Sequence, residues 1–366
     1  MPPNPYRVTY IEDIDSETEE FTRFLRNQKL RVRPMKPPPN LDLRDVIKDK
    51  PDLILIDHVL TGYKVLGKAV PYLGGTLASR IREVYHEYPL ILTTTRNRFR
   101  RYSEAAQLGA IDDVVFKDDI EVKPGSIVLI LLGWIQGFEQ LRKTKRRNWA
   151  SLTRKLRARE EESDKLKETF PLAPKRLFRG KIGKFEWSVP EVAQWINRIL
   201  FRYPGILCDS LHSATALGIS ETAFLRLKVQ NVFRDTMYTG PFANLGPRWW
   251  RERLLATAFL LIKKAGEEPV LSTSFSRAFE KLYRTKLKPS ICVVTGKEHA
   301  DAVCYVLRKP VLREKSLDYF PDDRPRVMER ARVSFKAIKQ SPEVREELFS
   351  PEGRDLYRRI IKGKYD

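Results

Sequence analysis

Acidic side chains follow two apolar segments near the N-terminus. Glu12 and Asp13 come directly after Arg7–Ile11, and Asp57 comes directly after Leu53–Ile56. Three neighbouring carboxylates repel one another, so their convergence would favour a bound divalent cation that prefers oxygen ligands, such as Mg²⁺. An aspartate beside Mg²⁺ is also able to accept a phosphoryl group.

A hydroxyl and an ammonium group occupy similar places farther along the chain. Thr94 follows the apolar segment Leu90–Thr93, and Lys117 follows Asp113–Phe116. Both groups are donors that bind phosphoryl oxygens. If these segments are parallel strands, their carboxyl ends meet at one edge of a sheet, which is where such sheets bind ligands.

The elements that must position these groups alternate along residues 1–141. A further apolar segment, Arg31–Met35, completes five predicted strands. Amphipathic segments between the strands predict helices at Ser16–Asn27, Leu43–Lys48, Thr76–Tyr88, Tyr102–Leu108 and Gly125–Leu141. This β/α alternation predicts an α/β fold, a doubly wound, flavodoxin-like parallel sheet of five strands with helices on both faces.

These motifs resemble the receiver (CheY-like) domain of response regulators in two-component signal transduction. The resemblance covers roughly residues 5–140 and is carried, in order, by IED, LILID, LTTT, EAAQLGA and DVVFK. It implies a phosphoprotein that receives its phosphoryl group from a histidine kinase or from a small phosphodonor.

The resemblance also assigns roles to the residues at the strand ends. It implies that Asp57 is the phospho-acceptor and that Glu12, Asp13 and Asp57 hold Mg²⁺. Thr94 is implied to be the switch hydroxyl, and Lys117 is implied to bind the phosphoryl oxygens.

Two features depart from the receiver pattern. The segment HVLTGYKVLGKAVPYLGG, which follows Asp57, contains an insertion ahead of Thr76. Asp118 follows Lys117, where the family commonly has a proline in a cis peptide bond, a bond that is costly without proline. The insertion either covers the acceptor or docks a partner. A degenerate receiver that serves only as a binding scaffold is therefore an open alternative.

The charge is distributed unevenly along the chain. The formal net charge is +21, yet residues 1–122 contain 19 basic and 19 acidic residues, so the remaining residues carry the whole excess. Basic surfaces attract nucleic acid through its phosphates and through counterion release. An anionic membrane or an acidic protein partner would attract the same charge.

Three domains are predicted: a receiver at 1–141, a helical basic connector at 142–180, and a basic, mainly α-helical output domain at 181–366. The connector begins with a basic run that we predict to contact nucleic acid, consisting of Arg142, Lys143, Lys145, Arg146 and Arg147.

The segment Ser213–Phe233 resembles the turn and second helix of a helix-turn-helix. Gly218 would permit the turn, Ser220 would cap the second helix, and Arg226 and Lys228 would face DNA. A helical hairpin that does not bind DNA has a similar pattern, so this alternative stays open.

Other C-terminal patterns are less distinctive. PSICVVTG predicts a strand, and Pro325–Lys339 predicts a basic helix. The cysteines Cys208, Cys292 and Cys304 lack a paired zinc-binding spacing and are expected to be small buried residues in a reducing cytoplasm. No apolar run approaches the ~20 residues of a membrane span.

Together these features predict a cytoplasmic response regulator. Phosphorylation would shift a two-state equilibrium, which would alter homodimerisation or release an output domain that binds nucleic acid, duplex DNA foremost. No enzymatic activity is expected beyond self-phosphorylation and dephosphorylation. The alternative is a receiver-like docking or adaptor subunit of a multi-protein system such as phage defence or DNA processing, and the insertion and the missing proline favour it.

Overall fold

The structure, a computed structural model, describes residues 5–65, 68–102, 107–170, 186–320 and 328–363. The described residues form two units: unit 1 lies within Met1–Leu156, Ala173–Trp195 and Gly240–Leu245, and unit 2 within Arg157–Leu172, Ile196–Thr239 and Gly246–Asp366. The domain boundaries predicted near residues 141 and 180 would separate parts that fold independently, and these boundaries stay a prediction. No helix among the described residues is long and apolar enough to cross a membrane.

Unit 1 is built on a parallel sheet. Its strands and a small hairpin are β1 (Arg7–Ile11), β2 (Arg31–Met35), β3 (Leu53–Asp57), β4 (Lys64–Val65), β5 (Lys68–Ala69), β6 (Leu90–Thr94) and β7 (Asp113–Phe116). The strand order is β2-β1-β3-β6-β7, and every pair is parallel. This flavodoxin-like order confirms the predicted α/β fold and places its reversal point between β1 and β3.

The helices of the described residues complete both units. They are α1 (Asp15–Asn27), α2 (Gly74–Val84), α3 (Arg96–Tyr102), α4 (Asp119–Val122), α5 (Pro124–Arg142), α6 (Trp149–Leu156), α7 (Glu160–Thr169), α8 (Val189–Trp195), α9 (Ser210–Ala216), α10 (Glu221–Phe224), α11 (Leu227–Val232), α12 (Arg251–Lys264), α13 (Leu271–Tyr283), α14 (Phe335–Gln340) and α15 (Pro351–Ile361).

One predicted helix of unit 1 is wrong. Leu43–Lys48 forms turns in which Val46 N donates to the Leu43 carbonyl at 3.1 Å. The segment is too short to propagate a helix, and Lys50 adopts a left-handed φ of 47° just before Pro51. The helix predicted at Tyr102–Leu108 falls partly on residues 103–106, outside the described ranges, as does part of the EAAQLGA motif.

The inner strands of the sheet are apolar on both faces. All residues of Leu53–Ile56 are 0% exposed, as are those of Leu90–Leu92. A parallel sheet that is covered by helices on both sides buries alternate side chains equally, which explains the uninterrupted apolar runs. The first polar side chain of β3 is therefore Asp57, at the very edge where the strand leaves the core.

A distant segment packs closely on α5. Two glycines of α5 make room for it, since a Cβ at Gly137 would lie 2.2 Å from the Phe242 ring and one at Gly133 would lie 2.5 Å from Leu245. The Trp134 ring lies 5.1 Å from the Phe242 ring, and its indole N–H donates to Asp113 at 2.8 Å. The segment Gly240–Leu245 thus belongs to the core of unit 1.

Unit 2 has two cores. The first lies around α9, α12 and α13 and contains Phe224, Phe233, Trp249 and Phe275. The second covers a mixed four-stranded sheet in the order β11-β10-β13-β12; the remaining strands are β8 (Leu207–Cys208), β9 (Trp249–Trp250), β10 (Ala302–Cys304), β11 (Lys309–Val311), β12 (Ser316–Tyr319) and β13 (Ala331–Ser334). Helices still predominate, as predicted.

Two local predictions for unit 2 are wrong. PSICVVTG forms isolated bridges and turns instead of a strand. The described part of Pro325–Lys339 is strand β13 followed by the short helix α14, because Ser334 accepts a hydrogen bond from Ala337 N and so caps a helix that begins only there. The three cysteines are buried and free, as expected.

The glycine contacts on α5 can be tested with two matched substitutions. Gly137→Ala should lower the stability of the full chain by about 1–3 kcal/mol, because the added methyl overlaps the buried Phe242 ring. Gly125→Ala lies in the same helix with open space around it and should leave stability unchanged or raise it by about 0.5–1 kcal/mol. Thermal unfolding of both variants is the measurement, and an equal effect of the two would contradict the packing.

Candidate functional site

The acidic residues meet at the reversal point of the sheet. β1 and β3 are adjacent, and the two acids that continue β1 lie beside the last residue of β3. The side chains of Glu12 and Asp57 are 0% exposed, and Asp13 is half-buried. The structure thus brings these three acids to one edge of the sheet, and their roles as metal ligands and phospho-acceptor stay a prediction.

A single ammonium group links the cluster. Lys117 Nζ lies 2.5 Å from Glu12 Oε2, 2.7 Å from Asp57 Oδ1 and 2.6 Å from Glu17 Oε2. Burial alone would lower the pKa of Lys117, but the charges of Asp57 and Glu12 outweigh it and raise that pKa above its ordinary value. The lysine is thus held in its charged form against the predicted phospho-acceptor.

Glu12 has a complete set of partners. Its Oε1 accepts hydrogen bonds from the backbone N–H groups of Asp13 and Ile14 at 3.0 and 3.2 Å. Its Oε2 accepts from the Tyr10 hydroxyl at 2.7 Å in addition to Lys117. These bonds fix the orientation of the Glu12 carboxylate at the floor of the site.

Asp13 and Asp57 are less fully satisfied. Asp13 Oδ2 accepts from Gly62 N at 2.7 Å, whereas its Oδ1 is buried without a hydrogen-bond partner among the described residues. Burial and the neighbouring Glu12 raise the pKa of Asp13 to about 6. For Asp57, burial raises the pKa to about 7, with Lys117 opposing the shift and Glu12 adding to it.

The donor set fits Mg²⁺. Glu12, Glu17 and Asp57 share the ammonium of Lys117, and Asp57 also accepts from Val59 N at 2.9 Å. One buried oxygen of Asp13 has no hydrogen-bond partner among the described residues. Hard oxygen ligands that carry excess negative charge are what this cation requires. Glu12 and Asp57, whose oxygens lie within 4.8 Å of one another, and Asp13, which follows Glu12 in the chain, would hold it.

Two cavities open next to the cluster. One of about 610 Å³ is lined by Asp13, Val59, Gly62 and Arg98 among others, and one of about 430 Å³ is lined by Glu17 and Lys117 among others. The cavities therefore reach Asp13 on one side and Glu17 and Lys117 on the other, whereas Glu12 and Asp57 are not among their lining residues.

The two threonine hydroxyls at the end of β6 and directly after it differ in their access to the cavities. Thr94 is 0% exposed, and its hydroxyl donates to the Thr95 carbonyl at 3.3 Å. Thr95 lines both cavities, and its hydroxyl accepts from Arg98 N at 3.3 Å. The role of Thr94 as switch hydroxyl stays a prediction, and Thr95 is a second hydroxyl that sequence reasoning did not single out.

Sequence reasoning also missed Glu17 and Arg98. Glu17 lies in the first turn of α1, and the Arg98 guanidinium, on α3, holds its two oxygens at 3.0 and 3.2 Å. Glu17, Glu12 and Asp57 have ligand oxygens within 4.8 Å of one another. The available signal was the place of Glu17 in the predicted helix that directly follows the Glu12–Asp13 strand end.

The insertion after Asp57 contributes to the site. In the segment that contains it, the N–H of Gly62 donates to Asp13, and the chain then runs through strands β4 and β5 to Gly74 at the start of α2. A Cβ at Gly74 would lie 2.1 Å from the Asp57 carbonyl oxygen, so only glycine permits this approach. Tyr72 is buried and donates to the Pro38 carbonyl, which ties the end of the insertion to unit 1.

The predicted helix-turn-helix is only partly present. Gly218 has φ +68° and Ser220 caps α10, as predicted, but the second helix breaks at Arg226 into α10 and α11. Lys228 Nζ donates to the carbonyl of Tyr283, the last residue of α13, at 2.7 Å. The prediction of one continuous second helix is wrong, and Lys228 stabilises a helix C-terminus of its own unit.

The basic run after α5 is partly occupied by internal ion pairs. Lys143 pairs with Glu139 at 2.7 Å, and Arg147 pairs with Glu87. Across the described ranges, Arg142, Lys145 and Arg146 have no ion-pair partner, and the last two are exposed. Contact of these residues with nucleic acid stays a prediction.

Solved structures resemble the N-terminal third of this chain. The receiver domain of the TMAO respiratory system response regulator TorR is 22% identical, with 36% of this chain and 98% of that chain covered and a TM-score of 0.27. The response regulator TrrA from Thermotoga maritima, solved with Mg²⁺ and BeF, is 18% identical, with 34% of this chain and 97% of that chain covered and a TM-score of 0.26. The receiver domain of NtrX from Brucella abortus is 15% identical, with 35% of this chain and 97% of that chain covered and a TM-score of 0.28. No protein-family model and no curated protein matches.

These likenesses concern proteins that are response regulators or their receiver domains. Their identities and TM-scores are low, so the fold is assigned from the strand order β2-β1-β3-β6-β7 and from the acids and the lysine at the strand ends. On that basis the part of the chain from β1 to α5 has the receiver fold.

The fit for Mg²⁺ gives a direct test. Mg²⁺ at ten times its dissociation constant should stabilise the full chain by about 1.4 kcal/mol, because it binds only the folded site. Asp13→Asn should remove most of this gain, since Asp13 supplies the unpaired oxygen. Thermal unfolding with and without Mg²⁺ is the measurement, with exposed Asp45→Asn as the matched control. Equal stabilisation of parent and Asp13→Asn would contradict the site.

Proposed function

We propose that this chain is a response regulator whose receiver part is phosphorylated on Asp57. The observation that supports it most is the contact of Lys117 with Asp57 and Glu12 at the reversal point of the sheet. Charges arranged in this way can bind a phosphoryl group and neutralise it, which is the main requirement of phosphoryl transfer.

The proposed reaction uses groups of this chain. A carboxylate oxygen of Asp57 attacks the phosphorus of a histidine kinase phosphoimidazole or of a small acyl phosphate. The new O–P bond forms as the bond to the donor breaks, and the donor leaves with that electron pair. Lys117 Nζ, 2.7 Å from Asp57, binds a phosphoryl oxygen. Mg²⁺, when bound, adds Lewis-acid neutralisation of phosphoryl charge. Water later attacks the phosphorus, the O–P bond to Asp57 breaks, and inorganic phosphate leaves while the Asp57 carboxylate is regenerated.

The acceptor can be tested by intact mass. The parent protein, incubated with Mg²⁺ and acetyl phosphate, should gain the mass of one phosphoryl group. Asp57→Asn should gain none, because the amide is not a nucleophile of this kind. Asp45→Asn, at an exposed carboxylate of the segment before β3, is the matched control and should behave like the parent. Phosphate uptake by Asp57→Asn equal to that of the parent would refute the assignment.

We further propose that the basic part of the chain binds nucleic acid, with duplex DNA as the first candidate, and that residues 142–180 connect it to the receiver. The support is the charge distribution: residues 1–122 are neutral, and the rest carries the net charge of +21. Lys145 and Arg146 are exposed and lack ion-pair partners in the described part of the chain, so their charges are free to meet phosphates.

Binding of duplex DNA should be steeply salt-dependent in the full-length protein. Replacing both Lys145 and Arg146 with glutamine should weaken binding and lower the salt slope by about 1 for each phosphate that is no longer neutralised. Exposed Arg23→Gln together with Lys64→Gln, in the neutral part, is the matched control. Fluorescence anisotropy across salt concentrations measures both quantities. Salt-insensitive binding, or an unchanged slope in the first variant, would contradict the proposal.

An adaptor function is the second candidate. The insertion supports it, because the hairpin β4–β5 follows Gly62, whose N–H donates to Asp13, and its residues Lys64, Lys68 and Ala69 are exposed. An exposed hairpin offers backbone edges to a partner strand. This candidate is favoured if the chain is not phosphorylated yet still assembles with a partner protein independently of salt.

A further inference from the structure

The carboxylate of Glu17 occupies an unusual position beside the acceptor. Lys117 Nζ lies 2.6 Å from its Oε2, and the Arg98 guanidinium lies 3.0 Å from its Oε1 and 3.2 Å from its Oε2. Both oxygens are therefore taken by cations. Asp13 differs, because one of its oxygens is buried and has no hydrogen-bond partner among the described residues. Glu17 thus resembles a bound anion more than a metal ligand.

The two cations that hold Glu17 also interact electrostatically with Asp57. Lys117 Nζ lies 2.7 Å from Asp57 Oδ1. Burial lowers the pKa of Arg98, but the bond to Glu17 and then the charges of Glu17, Asp57 and Glu12 outweigh it and raise that pKa. Arg98 lines the same 610 Å³ cavity as Asp13 and Val59. A group attached to Asp57 therefore lies within electrostatic reach of both cations.

We propose that Glu17 is a built-in substitute for the phosphoryl group, held by Lys117 and Arg98 until a phosphoryl group on Asp57 displaces it. This inference rests on the proposed phosphorylation of Asp57. It assigns Arg98 as a second phosphoryl-binding cation, and it makes Glu17 a competitor that lowers the affinity of the site for phosphoryl groups. Guanidinium and ammonium groups both bind phosphate oxygens, and the guanidinium does so with two parallel N–H donors.

Displacement of Glu17 would have a structural consequence. Glu17 lies in the first turn of α1, and Arg98 lies on α3, so their ion pair joins two helices that follow different strands. When the phosphoryl group takes both cations, this link between α1 and α3 is broken. Phosphorylation would then loosen the first turn of α1.

The competition can be measured with BeF₃⁻, which mimics a phosphoryl group on an aspartate, by ¹⁹F NMR titration of the full chain with Mg²⁺. Glu17→Gln should bind BeF₃⁻ at least about fivefold more tightly than the parent, which corresponds to a free-energy change of about 1 kcal/mol. Glu19→Gln is the matched control: the same change on an exposed residue of α1, which should leave affinity unchanged. An affinity in Glu17→Gln equal to or lower than that of the parent would overturn the proposal.

The role of Arg98 needs a second comparison. Arg98→Gln should weaken BeF₃⁻ binding when it is introduced into Glu17→Gln, because the guanidinium is then a direct partner of the phosphoryl group. If Arg98→Gln has no effect in that background, Arg98 only holds Glu17, and its assignment as a phosphoryl-binding cation is overturned. Exposed Arg23→Gln serves as its control.

Two further outcomes separate this proposal from its premise. Mg²⁺ affinity without BeF₃⁻, followed by thermal unfolding, should be nearly the same in Glu17→Gln and in the parent. A decrease of about tenfold or more would assign Glu17 to the metal and overturn the competitor role. If neither parent nor Glu17→Gln binds BeF₃⁻, the phosphorylation of Asp57 itself fails. If only Glu17→Gln binds, the site exists and Glu17 blocks it.

Discussion

Burial of like charges is the constraint on which the site depends. Glu12 and Asp57 are fully buried, Asp13 is half-buried, and Lys117 is the ammonium shared by Glu12 and Asp57. Burial of an ionised carboxylate is costly unless it is paired and hydrogen-bonded. The raised pKa values of Asp13 and Asp57 express this cost. A divalent cation bound among these carboxylates would offset part of that cost.

The sheet supplies the rigidity that holds these charges together. Its inner strands are buried on both faces and cannot shift without exposing apolar side chains, so Asp57 has a fixed place at the end of β3. The groups around it come from other elements: Gly62 from the segment after β3, Glu17 from the first turn of α1, and Arg98 from the short helix α3. If Asp57 is phosphorylated as proposed, a rigidly placed acceptor whose partners come from separate elements suits a ligand-driven switch.

The sequence predicted those features that follow from periodicity and topology. Strands such as Leu53–Asp57 were found because uninterrupted apolar runs mark a covered parallel sheet, and the cluster at their ends followed from strand direction. Glu17 and Arg98 were not found, since their contact depends on helix phase and side-chain reach across 81 residues. The packing of Phe242 on Gly137 has the same origin: it joins segments far apart in sequence, and no local pattern records it. Leu43–Lys48 failed because a short amphipathic pattern fits turns equally well.

Net charge and local pairing answer different questions about the basic part. The excess of +21 establishes that anionic partners are attracted at long range, but it does not identify the residues in contact. Arg226 and Lys228 already donate to backbone carbonyls of their own unit, at Lys286 and Tyr283. A cation that caps a helix gives up part of its stabilising role when it turns toward a phosphate. Exposed cations such as Lys145, which has no ion-pair partner in the described ranges, would lose no internal bond by contacting a phosphate. If nucleic acid binds as proposed, such unpaired cations are better candidates for the contact than Arg226 and Lys228.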